Sequence, residues 1–327
     1  MPLTPFLREW VFFAFSPREA AMQEEGRKFP FPFCPGLLFR AWVLLWALVL
    51  TAPGEGAPAR IISLSPAVTE ILFLLGEGGR VVGVTDFCQY PPEAARLPKV
   101  GGFLNPSYET MLSLMPDLLI HQKDSAGIAN FARQAGFGSL AVSMLTLEEI
   151  FTTIETLGTL VGKPAAAAKA VEELQATLAR RREALAPLAR KSVFLLLGVG
   201  NDPVQTLYGV GPNTYLGELL ALAGGDNVLS PSLSPYPKIN KEFIIAQSPE
   251  VIIEVGPVPL DEEEIALKKV KWQRFTTVRA VKNDAIHFLG GGELLIPGPR
   301  LNLVLDRFIR ALHPELKHEA AAKKGSP

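Results

Sequence analysis

Cysteine and histidine are both scarce in this chain of 327 residues. It has two cysteines, Cys34 and Cys88, and four histidines. Two cysteines cannot build a disulfide framework or an iron–sulfur cluster, which needs several clustered thiolates. A bare zinc or manganese ion needs three or four converging histidine and carboxylate ligands. We therefore expect neither a disulfide-stapled scaffold nor a protein-built site for a free metal ion.

The sequence also lacks an excess of charge of either sign. Its 32 lysines and arginines are balanced by 33 acidic residues, so the formal net charge is −1. Nucleic acids and anionic membranes attract basic surfaces, and neither partner is predicted here. Enzyme signatures are missing as well: the chain has no G-x-S-x-G nucleophile elbow, no P-loop and no dinucleotide fingerprint. A hydrophobic content of 48% is that of a globular protein.

The hydrophobic run near the N-terminus is too short to span a bilayer, which takes about 20 residues. It covers residues 41–52, follows an arginine and precedes an Ala-Pro-Ala sequence at residues 57–59. These are the parts of a secretory signal peptide. We predict that residues 1–59 form a signal peptide and leader, and that the mature protein begins at Arg60 in the periplasm. An uncleaved membrane anchor is the alternative.

Strand-like and helical segments alternate along the rest of the chain. The predicted strands are residues 61–64, 81–84, 118–121, 140–143, 193–198, 251–255 and 285–289. Helical patterns lie between them, including a last helix at about residues 300–312 with one apolar face. Strands that alternate with helices predict a mostly parallel sheet. The fold class is therefore α/β.

One long helical pattern divides this alternation. It begins at Pro164, has no glycine and is rich in alanine, glutamate, leucine and arginine, which favour helix. At 1.5 Å per residue it would be about 35 Å long. We interpret it as a strut between two lobes; an ordinary surface helix is the alternative. The predicted domains are an N-terminal α/β lobe (60–163), the linking helix (164–190), a C-terminal α/β lobe (191–318) and a tail (319–327).

The two halves repeat the same motifs in the same order. EILFLLG at residues 70–76 matches ELLALAG at 218–224, and residues 109–120 match 242–253 in their glutamate, proline and apolar positions. The second pair of segments lies 133 residues apart, with identical internal spacing. We interpret the chain as two similar lobes. Ligands of such sheets bind beyond the carboxyl ends of the strands, so two facing lobes would form one cleft.

Several segments together resemble the helical-backbone binding proteins of ABC importers. They are RIISLSPAVTEILFLLG, VVGVTDFCQYPPEA, LPKVGGF, LNPSYETMLSLMPDLLI and the long linking helix. The resemblance covers residues 60–316 and is to the cobalamin-binding branch in particular. It implies two rigid lobes joined by one helix, and a carried metal chelate. That ligand would be cobalamin or another corrinoid, with haem or a ferric siderophore as alternatives on the same fold.

The resemblance also implies a partner, an ABC permease dimer in the inner membrane with its ATPase subunits. In the family, one acidic residue on each lobe docks onto arginines of the permease. The matching positions here are Glu109 and Glu242. From the residues alone, each glutamate would also stabilise a helix start, by about 0.3–1 kcal/mol. Ser107 and Asn240 stand two residues earlier and are suitable helix caps.

The ligand-binding positions implied by the resemblance lie in loops at strand ends. They are Pro66, Phe87, Phe103, His121, Gln122, Tyr208, Tyr236 and Glu293. Aromatic rings suit a flat macrocycle, because they cover area at a small entropic cost. His121 is the candidate axial ligand of the carried metal, with simple hydrogen bonding as its other role. Cys88 is either a partly buried thiol or a second metal contact.

Two function classes other than a binding protein are also considered. One is an exported enzyme related to tetrapyrrole chemistry, and the other is an exported sensory module without an importer. We predict no enzyme activity and no catalytic cofactor. The expected partners are the small-molecule chelate and the importer, with no nucleic acid, and the chain is expected to be a monomer. The paired glutamates discriminate between the classes, since a module without a permease needs neither.

Overall fold

Four strands alternate with helices in the first half of the computed structural model, which describes residues 57–102, 105–198, 207–231 and 233–316. The strands are β1 (Ile61–Ser63), β2 (Val81–Val84), β3 (Leu118–Gln122) and β4 (Gly138–Val142). The helices are α1 (Pro66–Leu74), α2 (Pro92–Ala95), α3 (Tyr108–Ser113), α4 (Ala126–Ala135) and α5 (Leu147–Leu160), with a 3-10 turn at Gly78–Arg80. All four strands are parallel, in the order β2-β1-β3-β4.

A 22-residue helix, α6 (Pro164–Leu185), separates this first lobe from the second. Proline suits its first position, where no intrahelical N–H is needed. The helix ends five residues before the predicted boundary at 190, because Pro187 has no N–H with which to continue the ladder. One stripe of α6 is buried, formed by Ala167, Val171, Leu178 and Leu185.

The second half restarts the alternation. Its strands are β5 (Lys191–Leu197), β6 (Leu207–Gly209), β7 (Gly225–Asn227), β8 (Lys238–Ile239), β9 (Val251–Gly256) and β10 (Ile286–Gly290). Its helices are α7 (Tyr215–Leu222), α8 (Lys241–Gln247), α9 (Glu262–Trp272), α10 (Arg279–Lys282) and α11 (Leu301–Leu312). Strand β5 pairs in parallel with β9 and β7, and β9 with β10, whereas β6 is antiparallel to β5 and β8. The sequence pattern did not predict β6, β7 or β8, which are two or three residues long.

The two sheets share one strand arrangement. The order β2-β1-β3-β4 recurs as β7-β5-β9-β10, again with all neighbours parallel. The repeat extends to backbone conformation: Met115 and Ser248, which are 133 residues apart, both have positive φ (46° and 42°). Positive φ is uncommon outside glycine, and each of these residues directly precedes a proline. The predicted architecture of two similar α/β lobes joined by one long helix is confirmed.

The core is shared between the lobes. The side chains of a strand point alternately to the two faces of its sheet. Ile61 of β1 and Leu195 of β5 belong to one continuous apolar cluster, which also includes Leu178 of α6. Ile62 and Phe194, on the opposite faces, belong to separate clusters, one in each lobe. Both lobes therefore pack on the linking helix and on each other. Among the described residues, no helix is long and apolar enough to cross a bilayer.

Candidate functional site

An open pocket of about 690 Å³ lies between the two lobes. This volume is within the range of small-molecule sites, about 300–1,000 Å³. The first-lobe wall consists of Gln122, Asp124, Ser143, Met144 and Leu145, which end or follow β3 and β4. The second-lobe wall consists of Leu197, Tyr215, Leu216, Ser234, Pro235, Tyr236, Leu295 and Pro297. The pocket is at the carboxyl ends of β3, β4 and β5, where a ligand site of such sheets is expected.

Gln122 and His121 are neighbours at the end of β3 but point in opposite directions. The Gln122 side chain lines the pocket and donates to the Ser65 hydroxyl (3.3 Å). His121 is only 2% exposed. Its Nδ1 lies 2.8 Å from the carbonyl oxygen of Gln122, which requires a proton on Nδ1, and its Nε2 lies 3.5 Å from the Ser139 hydroxyl. The imidazole therefore does not face the pocket, whereas an axial ligand of a bound metal would have to point into it.

Two tyrosines give the second-lobe wall its aromatic character. Tyr215 is buried and donates its phenolic hydrogen to the carbonyl oxygen of Leu294 (2.9 Å). Tyr236 is 38% exposed at the pocket, and the rest of its surface is buried. Burial raises the pKa of both phenols, well above 10 for Tyr215. Both rings are therefore neutral at physiological pH, and Tyr236 offers an uncharged face to a ligand.

Three other predicted positions that the structure describes, Tyr208, Phe87 and Pro66, are not part of this pocket wall. Tyr208 is exposed on β6 and pairs with Leu197 of β5, and directly opposed residues of antiparallel strands share a sheet face. Tyr208 therefore projects on the side of the pocket-lining Leu197. Phe87 is also exposed, and Pro66 is half-buried as the first residue of α1. Phe103 lies outside the described residues.

Glu293 was predicted to contact ligand, but its carboxylate has a partner within the second lobe. An Arg307 guanidinium nitrogen lies 2.7 Å from a Glu293 oxygen, and the Glu293 side chain is largely buried. The negative charge is thus already compensated by the protein. Sequence reasoning identified neither this partner nor the pocket residues Asp124, Ser143 and Tyr215. Tyr215 and Pro66 are each the first residue of a helix, α7 and α1, but the repeat aligns Pro66 with Thr214 and so did not indicate Tyr215.

A family model described as periplasmic binding protein matches residues 61–290. The chain belongs to the periplasmic binding protein family. Among curated members, the vitamin B12-binding protein of Salmonella typhimurium is 32% identical over 222 residues, covering 67% of this chain and 80% of the relative. That of Pectobacterium atrosepticum is 27% identical over 268 residues, covering 80% of this chain and 92% of the relative.

Solved structures of periplasmic binding proteins have the same fold. The crystal structure of the periplasmic vitamin B12 binding protein of Vibrio cholerae superposes with a TM-score of 0.66 at 28% identity, covering 80% of this chain and 99% of that one. A periplasmic haem binding protein from Pseudomonas aeruginosa has a TM-score of 0.69 at 24% identity, and the match covers 79% of this chain and 93% of that protein. The second likeness is one of fold alone.

Two glutamates connect the lobes of this periplasmic binding protein. Glu70 of α1 accepts two hydrogen bonds from Arg300, which precedes α11 in the second lobe. Glu218 of α7 accepts the backbone N–H of Leu147, the first residue of α5 in the first lobe (2.7 Å). Burial raises the pKa of both carboxyl groups. For Glu70 this effect outweighs the hydrogen bonds and the positive charge of Arg300, which lower the pKa. The repeat paired these two glutamates, but their contacts were not predicted.

Glu109 and Glu242, the predicted docking residues, occupy matched positions on the outer surface. Each is exposed in the first turn of its helix, α3 or α8. The Ser107 hydroxyl accepts the N–H of Thr110 (3.3 Å), and the Asn240 carboxamide oxygen accepts the N–H of Phe243 (2.9 Å), so both helices are capped as predicted. Within the described part of the chain, neither glutamate forms an ion pair.

Cys88 lies inside the first lobe. It is fully buried, and its sulfur is 3.3 Å from the Thr69 hydroxyl and 3.1 Å from the Thr85 hydroxyl. Of the two roles considered for Cys88, these contacts correspond to the buried thiol, and the burial is deeper than expected. Within residues 57–316, gaps excepted, no three or more His, Cys, Asp or Glu side chains are grouped to hold a metal ion.

Proposed function

We propose that this chain is the binding protein of an ABC importer and carries cobalamin or another corrinoid in the pocket between its lobes. The observation that carries the proposal is the open pocket of about 690 Å³ in a chain related to vitamin B12-binding proteins. A ligand as large as a corrinoid would occupy an open cleft and keep one face in solvent.

The charge of the pocket wall supports a corrinoid over its alternatives. Asp124 contributes a carboxylate to the first-lobe wall, next to the neutral carboxamide of Gln122. The peripheral amides of a corrinoid are neutral and can donate to these oxygens. The propionates of haem, or the anionic groups of a ferric siderophore, would be repelled by Asp124. Haem stays the second candidate, because haem-binding proteins share this fold.

The pocket side chains divide into two roles in this proposal. Tyr236 and Tyr208 on the second lobe and Phe87 on the first would cover the flat macrocycle by stacking. Gln122 and Asp124 would hydrogen-bond to its edge. His121 would position Gln122 from behind rather than ligate cobalt. None of these roles is catalytic, so the protein would release its ligand unchanged.

The proposed location and partners follow from the same function. Removal of residues 1–59 would leave a periplasmic monomer that begins at Arg60, which N-terminal sequencing of the exported protein tests. The partner would be a permease dimer in the inner membrane with its ATPase subunits. Glu109 and Glu242, one on each lobe, would each meet a cationic side chain of the permease.

Titration of the purified protein with cobalamin, cobinamide, haemin and a ferric hydroxamate siderophore tests the ligand. We expect a 1:1 complex with a corrinoid at a Kd below about 10 μM, or about −7 kcal/mol. Tyr236→Ala should weaken it, whereas Tyr108→Ala, which removes an exposed tyrosine outside the pocket wall, should not. Binding of haemin without any corrinoid would reject the assignment in favour of haem.

A further inference from the structure

Helices α3 and α8 expose an apolar side chain at the same position of the repeat. Leu112 is 48% exposed and Ile245, 133 residues later, is 45% exposed. The preceding residues, Met111 and Ile244, are both buried. The burial pattern along these helices is thus repeated, and it includes one large apolar residue directed to solvent in each copy.

Each exposed apolar residue stands beside an exposed acid. Glu109 and Leu112 are three positions apart on α3, and Glu242 and Ile245 are three positions apart on α8. Residues at this spacing are neighbours on a helix surface. The chain therefore carries two copies of one surface, one on each lobe. Each copy has a carboxylate without an ion pair among the described residues, next to an aliphatic side chain.

We propose that Leu112 and Ile245 are the apolar half of the docking surface whose acidic half is Glu109 and Glu242. The inference rests on the proposed function, since it assigns this surface to the permease dimer. A two-fold symmetric membrane protein offers the same recess twice. The chemistry of this surface calls for a recess with a cationic side chain at its edge and an apolar floor.

Charge and geometry favour this occupant over a second copy of the chain. In a contact between two copies, matched surfaces would bring carboxylates together, and like charges repel. A permease with basic edges complements both lobes at once. The apolar contact would also exclude water from the ion pair, and a charge-assisted hydrogen bond contributes more when it is shielded in this way.

The test measures binding to the complete importer, with its permease dimer and ATPase subunits, in lipid nanodiscs. Affinity is compared at about 0.1 M and about 1 M salt, where the Debye length falls from about 10 Å to about 3 Å. Leu112→Ala and Ile245→Ala should each weaken binding about tenfold at both salt concentrations, since burial of aliphatic area is not screened. The pair Glu109→Gln and Glu242→Gln should weaken binding at low salt and remove its salt dependence.

The matched control is Leu267→Ala with Val270→Ala on α9, where the exposed fractions are 58% and 59%. This pair should bind the importer like the unchanged protein, and all variants should keep the corrinoid affinity. Unchanged importer binding by the Leu112→Ala, Ile245→Ala double variant would overturn this inference alone. Equal weakening by the control pair, or loss of corrinoid affinity, would also overturn it. If the unchanged protein binds corrinoid but not the importer, the proposed delivery function is wrong as well.

Discussion

Arg300 of the second lobe donates two hydrogen bonds to Glu70 of the first lobe, from Nε to Oε2 (2.8 Å) and from Nη2 to Oε1 (2.5 Å). Tyr90 lies against the same guanidinium, with its ring centre 4.3 Å away. The equivalent glutamate of the repeat, Glu218, reaches back to the backbone N–H of Leu147. Each lobe thus contacts the start of a helix in the other, in addition to the connection through α6.

The Glu70–Arg300 pair should be important for stability. The Glu70 side chain is only 1% exposed, so Arg300→Met would leave a buried carboxylate without its cation. Loss of one partner of a buried pair typically costs about 3–5 kcal/mol. We expect a fall of that order in the free energy of unfolding, measured by urea denaturation. The control is Arg310→Met, at an exposed position of α11, which should change stability little. Equal effects of the two substitutions would contradict a special role for the pair.

Lys268 of α9 and Glu254 of β9 form a second buried pair, for which a single and a double substitution can be compared. Lys268 is hydrogen-bonded to one carboxylate oxygen of Glu254, and the other oxygen is buried with no partner among the described residues. Lys268→Met alone should destabilise the protein by about 3 kcal/mol. The double variant with Glu254→Leu should recover most of this loss, because it also removes the orphaned charge. Thermal and urea denaturation of both variants measure the difference, and a double variant less stable than Lys268→Met would refute the explanation.

Glu250 should contribute to the acid sensitivity of the fold. Its carboxylate accepts the backbone N–H of Ser192 (2.8 Å), and this hydrogen bond lowers its pKa below the ordinary value of 4.5. A carboxyl group with a lowered pKa in the folded state stabilises the protein above its unfolded pKa. That contribution is lost as the pH falls from 4.5 through the lower folded value. Glu250→Gln should therefore show a smaller loss of stability between neutral pH and about pH 3. Glu172→Gln, at an exposed position of α6, is the control and should follow the unchanged protein.

His121 should affect the fold rather than the bound metal. Its ring lies inside the first lobe with Gln122 and Ser139 as partners. His121→Ala should lower the free energy of unfolding by about 1–3 kcal/mol, since buried polar partners lose their hydrogen bonds. The absorption spectrum of a bound corrinoid should stay the same, because the imidazole is not at the pocket. A spectral shift on this substitution would show that the ring does ligate the metal.

The sequence by itself determined the α/β class, the long helix and the repeat. Each of these depends on local information: apolar spacing, the proline at the start of α6, and two motifs that recur in the same order with the same internal spacing. The buried face of α11 was predicted in the same way, and Leu301, Val304, Leu305, Phe308 and Leu312 are all buried. Strands β6, β7 and β8 were missed, because two or three residues are too few to show a periodicity.

From the sequence, the candidate site could be predicted only as a set of loops at strand ends. The tertiary structure decided which side chains of these loops face the pocket and which contact the protein interior. Gln122 and His121 are adjacent on β3, and side chains alternate between the two faces of a strand. Gln122 therefore lines the pocket, whereas His121 is buried inside the first lobe. The partner of Glu70 is 230 residues away, and that of Glu293 is on a helix whose direction depends on packing. Such contacts depend on how distant segments are packed together, and no local pattern in the chain specifies that packing.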